Sequence, residues 1–227
     1  MQKKILGLFL IVFTLFLSVG GTWISSMVLS RSNQAYQGVS VVLDAGHGGK
    51  DKGAQFDGIY ESEINLKLVQ LLKEELEEVG MHVILTRENE KDLSEDGAFS
   101  KKSSDMKNRI KIINQEEVDL YISVHMNSFV DSNVHGSSIF YKKGNEDSKV
   151  FASYIQNNIQ KFTKSNMEIK TGDYYILNKT DKIGILLECG FLSNREDRLN
   201  FTNENYQKQF VKEVKKGILQ FMKAVYE

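Results

Sequence analysis

Val39-Ser40-Val41-Val42-Leu43-Asp44-Ala45-Gly46-His47-Gly48-Gly49 is an apolar, β-branched run that breaks into glycines around a histidine. A second stretch, Leu120-Tyr121-Ile122-Ser123-Val124-His125-Met126-Asn127-Ser128, ends in the same way at His125. Short apolar runs bounded by small and polar residues read as buried strands. Glycine just after a strand marks a place where the backbone approaches something closely. Open α/β sheets build their sites beyond the carboxyl ends of the strands, and neutral imidazole is a common zinc ligand. Two of the chain's four histidines stand at such ends.

Outward from these two runs, strand and helix patterns alternate. Residues 39–43 read as a buried strand, and 44–60 as a long glycine-rich loop of the kind that usually serves function. Residues 62–79 carry Ile64, Leu68, Leu72, Leu76 and Val79 at helical spacing, and Gly80 stops the helix. A strand is expected over 81–86, a polar mobile surface segment over 87–104, a helix over 105–116 and a strand over 118–124. Residues 138–141 read as a fourth strand, 147–162 as a helix, and 174–177 and 183–187 as two further short strands. Ser193-Asn194-Arg195-Glu196 has the capping-box pattern and starts a short helix. Residues 205–225 form an amphipathic terminal helix with Phe210, Val214, Ile218, Phe221 and Val225 on one face. The alternation predicts a single three-layer α/β domain, its mostly parallel central sheet flanked by helices.

The chain has 227 residues and a net charge of −1, which leaves −4 for residues 32–227 once Lys3, Lys4 and Arg31 are set aside. That balance excludes the clustered basic surface of a nucleic-acid binder. Cys189 is the one cysteine, so no intrachain disulfide supports the fold. Proline is absent.

Met1-Gln2-Lys3-Lys4 is a basic start, and Ile5 to Val19 is apolar except for Gly7, Thr14 and Ser18. Residues 1–30 therefore read either as a cleaved signal peptide or as an uncleaved membrane anchor. In both cases the remainder of the chain is exported. Residues 31–38 are a polar linker, and 39–227 form the domain.

His47 and His125 are candidate metal ligands; the plainer alternatives are a loop histidine and a satisfied core imidazole. One of Glu61 and Glu63, at the start of the first helix, can supply a carboxylate ligand, although acids there also suit the helix dipole. Glu188 ends the apolar run Ile183-Gly184-Ile185-Leu186-Leu187. Carboxylates are seldom buried without a partner or a task. Burial raises the pKa toward neutrality, which fits a general acid or base. The alternative is a structural acid paired with Arg109 or Arg87. Cys189 must face away from Glu188 and reads as a buried hydrophobe. Asn127 either meets substrate or caps a turn. His82 and His135 are left outside the site. Two histidines, one glutamate and an open position would make a hydrolytic zinc centre, with a second glutamate moving the proton of water.

Four ordered motifs carry a resemblance. They are Asp44-Ala45-Gly46-His47-Gly48-Gly49-Lys50-Asp51-Lys52-Gly53-Ala54, Glu61-Ser62-Glu63-Ile64-Asn65-Leu66, Ile122-Ser123-Val124-His125-Met126-Asn127, and Leu187-Glu188-Cys189-Gly190-Phe191-Leu192-Ser193-Asn194. Together they resemble the zinc-dependent N-acetylmuramoyl-L-alanine amidases of the branch often called type 3, from about residue 39 to the C-terminus. The resemblance implies His47, Glu61 and His125 as ligands of Zn2+ and Glu188 as the catalytic glutamate, with Glu61 preferred to Glu63 for its place in the motif. It implies cleavage of the amide between the lactyl group of muramic acid and L-alanine of the peptidoglycan stem peptide. Ala45 and Ile183 stand where the family usually has Pro, Cys189 where it has Leu, and Asn178 where it often has Arg.

No wall-binding module is recognisable. The short, N-terminally anchored form is similar to sporulation amidases acting on spore cortex, and it motivates the expectation of an accessory protein for targeting or activation. The expected partners are thus peptidoglycan, a membrane through the N-terminal segment and no nucleic acid. The competing reading of another class is a non-catalytic peptidoglycan-binding or regulatory protein on the same fold.

Overall fold

The computed structural model describes residues 36–226. The segment read as signal peptide or anchor, and most of the linker, lie outside the described residues. Fourteen elements occur along these residues. They are β1 (Ser40–Ala45), β2 (Gln55–Phe56), β3 (Ile59–Tyr60), α1 (Glu61–Glu77), β4 (His82–Leu85), α2 (Lys101–Ile113) and β5 (Leu120–Asn127). Then come β6 (Ser138–Tyr141), α3 (Glu146–Thr163), β7 (Lys170–Thr171), α4 (Tyr175–Lys179), β8 (Ile183–Phe191), α5 (Arg195–Thr202) and α6 (Glu204–Tyr226).

Six strands form the central sheet in the order β4-β1-β5-β8-β6-β7. β4, β1, β5 and β8 run parallel, while β6 pairs antiparallel with β8 and parallel with β7. β2 and β3 make a separate two-stranded hairpin inside the glycine-rich loop. From β1 the chain goes first to β4 on one side and then to β5 on the other. The carboxyl ends of β1 and β5 therefore flank a point where strand order reverses, the usual ligand position in such sheets.

Alternation along the strands sorts the side chains into two cores. Val41, Leu43, Ile122, Val124, Ile185, Leu187 and Cys189 pack with α1, α3 and α6. Val42, Tyr121 and Leu186 face the other way, onto a smaller cluster with α2 and α4. By the same period, Asp44, Ser123, His125 and Glu188 point to that thinner side.

The three-layer α/β domain agrees with the sequence reading, with local corrections. α2 begins at Lys101 and Arg87 is buried, both within the segment expected as mobile surface, and Val225 near the end of α6 is exposed rather than on the apolar face. Residues 174–177, expected as a strand, form the start of the one-turn helix α4. Four residues with two tyrosines and two aliphatics suit either state, and length alone does not arbitrate. The short helix after β8 is capped by Asn194, not Ser193: the Asn194 side chain accepts from Glu196 N and Asp197 N at 3.0 Å. Ser193 Oγ instead accepts from Phe129 N.

The helix-rich side admits one close backbone contact. A Cβ on Gly217 of α6 would sit 2.5 Å from Ile155 Cα of α3. Ala would gain about 1 kcal/mol of helix propensity there but must push two helices apart, which costs about 1–3 kcal/mol in a packed core. Gly217→Ala is therefore expected to lower stability, read as a reduced urea midpoint with an unchanged slope. An unchanged or higher midpoint would refute the close-contact account.

Candidate active site

β1 ends at Ala45 and the chain turns sharply through Gly46 to His47. A Cβ on Gly46 would lie 2.2 Å from the His125 ring, so the glycine lets β1 and β5 bring their histidines together. His47 itself has φ of 63°, a left-handed backbone that non-glycine residues rarely adopt. Such conformations persist where the surroundings over-determine them.

Here the surroundings are two buried guanidinium groups. Arg109 Nη1 donates to Asp44 Oδ1 and to Ala45 O, both at 2.6 Å, and its Nη2 donates to His47 O at 2.6 Å. Arg87 donates from Nε to Ala45 O at 2.9 Å, and from Nη2 to Gly46 O at 3.0 Å and Ser62 O at 2.8 Å. Three successive carbonyls are thus turned inward, which leaves the imidazole of His47 facing the cavity. The Ser62 contact ties the same loop to the first turn of α1. Asp44 is fully buried, yet Arg109, Ser123 and Thr86 together hold its carboxyl below the usual range. Burial opposes the charge of Arg109, but Asp44 and Asp105 hold it protonated.

Glu61 opens α1 and is 4% exposed. Gly53 (φ 67°) passes beside it: a Cβ there would be 2.4 Å from Glu61 Oε2, which accepts from Ala54 N at 2.8 Å. Oε1 points inward. His47 Nε2 lies 3.2 Å from it and His125 Nδ1 3.0 Å. Met126 N and Asn65 Nδ2 donate to the same oxygen at 3.2 and 3.3 Å. Burial works against the Glu61 charge, but the two imidazoles hold its carboxyl far below the ordinary carboxylate value. Conversely, the His47 imidazole, which burial alone would make less basic, is raised by Glu61 and Asp51.

These three side chains fit a cation. One ligand atom from each of His47, Glu61 and His125 lies within 4.8 Å of the others. Four potential donors crowd one carboxylate oxygen that offers roughly two lone pairs. The separations of 3.0 and 3.2 Å approach the ~3.3 Å edge expected between ligands in a tetrahedral site with ~2.0 Å bonds. Asp51 Oδ1, 3.0 Å from His47 Nδ1, stands where a carboxylate orients a metal-binding imidazole. Among the described residues Nδ1 makes no aligned hydrogen bond, so that orienting contact has room to tighten.

Glu188 is not part of the trio. It lies on β8 directly beside His125 in the parallel register. It is 7% exposed, and burial pushes its carboxyl up to about 7, against the opposing pull of His125. The alternative that Glu188 is a structural acid paired with Arg109 or Arg87 fails, because those cations are committed to Asp44, Asp105 and backbone carbonyls. Among the described residues Glu188 Oε2 is buried without a partner. Cys189 faces the opposite core, fully buried. Glu63 is exposed on α1, and His82 and His135 are exposed and outside the cluster.

A cavity of about 400 Å³ opens over the trio. Its floor holds His47, Glu61, His125 and Glu188; α2 supplies one wall, and Tyr174 and Tyr175 at α4 supply another. Asn127 lines it too, so its place is at the site rather than only in a turn. The clamp formed by Arg87 and Arg109 is not legible in the residues' spacing. Tyr174 escapes a sequence reading because its segment looks like a strand.

Comparison with known proteins places the chain in company. Residues 41–220 match the family described as N-acetylmuramoyl-L-alanine amidase. The germination-specific N-acetylmuramoyl-L-alanine amidase of Bacillus subtilis is 34% identical over 192 residues, covering 81% of this chain and 80% of that protein. The CwlD amidase of Clostridioides difficile, solved in complex with the GerS lipoprotein, superposes with a TM-score of 0.79 at 33% identity, covering 82% of this chain and 99% of that one. The catalytic domain of CwlV, an amidase from Bacillus (Paenibacillus) polymyxa, superposes at 0.71 with 26% identity, over 82% of this chain and 98% of that domain.

Proposed function

The chain belongs to the N-acetylmuramoyl-L-alanine amidase family, enzymes of peptidoglycan, and from that premise we propose how its own residues cut the bond. His47, Glu61 and His125 hold a zinc ion, and Glu188 is the general base and acid. The observation that carries this reading is the convergence of three ligand atoms within 4.8 Å beside a buried carboxyl that has no partner among the described residues. Zinc in such a set brings the pKa of water to about 7 and polarises an amide carbonyl.

The protein's part is positional and protic. Arg109 and Arg87 fix the His47 loop against β1 and α1. Glu188, ionised near neutrality, takes the proton of the attacking water on a carboxylate oxygen. It then passes that proton to the nitrogen of L-alanine as the lactyl–amide bond breaks. A bound cation would draw the Glu188 pKa below its metal-free value.

The same footing supports action outside the cytoplasm, with residues 39–227 as the catalytic domain, 31–38 as linker and 1–30 as export signal or anchor. Likeness to a germination-specific amidase and to an amidase solved with a lipoprotein supports a role on spore cortex and an accessory lipoprotein partner.

Digestion of purified peptidoglycan followed by mass analysis of the products tests the reading. Intact stem peptides beginning with L-alanine should be released, in a reaction stopped by chelator and restored by zinc. Release of fragments cut within the stem would refute it.

Metal affinity should depend steeply on pH. Both imidazoles must be neutral to bind, and the raised pKa of His47 means protons compete already above the usual value of about 6.5. Zinc affinity, measured by chelator competition, is expected to fall at least tenfold from pH 8 to pH 6. A flat profile would remove the histidines from the ligand set.

A further inference from the structure

We propose that Tyr174 is a further catalytic residue, its phenol O–H donating to the carbonyl oxygen of the scissile amide as negative charge gathers there. The proposal rests on the amidase reading above and adds a residue that the motifs do not contain.

Tyr174 lines the same cavity as His47, His125 and Glu188. Its ring is fixed: it packs edge-on against Phe140, with centroids 5.2 Å apart and planes at 65°. Gly172 makes room for it, since a Cβ there would be 2.5 Å from the Tyr174 ring. The backbone is held as well. Tyr174 caps the start of α4 with φ −95° and ψ 139°, its carbonyl accepts from Asn178 N at 3.0 Å, and Asn178 Nδ2 donates to Asp173 Oδ1 at 2.7 Å. Asn178 therefore serves the turn that presents Tyr174.

The hydroxyl is uncommitted. Among the described residues no group hydrogen-bonds it, whereas the buried Tyr121 hydroxyl, on the same side of the sheet, accepts from Thr180 Oγ1 at 2.7 Å. A half-buried tyrosine whose polar tip finds no partner among the described residues is suited to a ligand's oxygen. Burial, and then the charge of Glu188, push its phenol pKa up, so it keeps its proton at neutral pH. A preorganised donor aimed at developing charge is worth about 10²–10³ in rate.

The test is Tyr174→Phe, which keeps the ring, the Phe140 contact and the cavity shape. On soluble muropeptides, kcat should fall about 30- to 300-fold, with KM within about threefold and with zinc content and melting temperature unchanged. A kcat within about threefold of the parent would overturn the proposal, as would a change confined to KM, which marks ground-state binding. Loss of zinc or of fold would also overturn it, because it would show the hydroxyl to be structural. Glu188→Gln is run alongside. If the parent protein releases no stem peptides, the amidase reading itself has failed; if the parent is active and Tyr174→Phe equally so, only the Tyr174 proposal has.

Discussion

Glu188→Gln should reduce amide hydrolysis by about 10²–10⁴-fold while leaving zinc bound, because the amide keeps the shape but cannot take a proton from water. The same substitution should make the metal-free protein more stable. The Glu188 carboxyl is raised by burial to about 7 from an unfolded value near 4.3. Below about pH 4 it is protonated in both states and costs nothing. Between those values the unfolded chain gives up its proton first, so stability falls as pH rises, and above about 7 the full cost of roughly 4 kcal/mol is present. Gln removes that cost, so its stabilising effect should be largest above pH 7 and vanish near pH 4. In the zinc-loaded protein the cation offsets the burial and the gain should shrink. Turnover within tenfold of the parent would remove Glu188 from proton transfer. A gain in stability that is the same at pH 4 and pH 8 would refute the burial argument.

Arg109→Leu should destabilise the fold by about 3–5 kcal/mol, the usual cost of stranding a buried charge. Arg109 is 1% exposed and meets Asp44, Asp105, Ala45 O and His47 O. Its removal leaves Asp44 ionised and buried with only Ser123 and Thr86, and frees the carbonyl that holds His47 in its left-handed conformation. For a domain of this size the melting temperature should drop by roughly 10 °C. Zinc affinity should fall as well, since the ligand loop loses its anchor. Adding Asp44→Asn should recover part of the lost stability, because the two residues share one network and their effects are not additive. It should not restore zinc affinity, because His47 O stays unheld. A loss under 1 kcal/mol for the single variant would show that the pair is not structurally important.

Much of the architecture is legible in the residues. The runs ending at Asp44 and His125 mark two central strands, and the alternation of patterns marks the three layers. Glu188 stands out because an acid after five apolar residues is physically expensive. The order of the trio comes from motif resemblance, since periodicity alone does not distinguish Glu61 from Glu63. The structure separates them by burial. What spacing does not carry are contacts made across the sheet. Arg87, just past β4, and Arg109, on α2, stand 22 residues apart, and only tertiary packing brings both to residues 45–47. The stretch 174–177 misleads because four residues hold too little period to separate a turn of helix from a strand.

The trio is drawn from positions 47, 61 and 125, and Glu188 from the last parallel strand. No two of these lie within one local unit that could form alone, so loop-closure entropy must be met before any pair of ligands is near its partner. An unfolded chain presents two distant histidines and no cage. Metal binding by this trio would therefore follow folding: β1 must already be zipped to β5 before a cation could find three donors, and β8 must join before Glu188 stands beside them. A chain exported unfolded would cross inert and become competent to cut only after its sheet has closed on the far side.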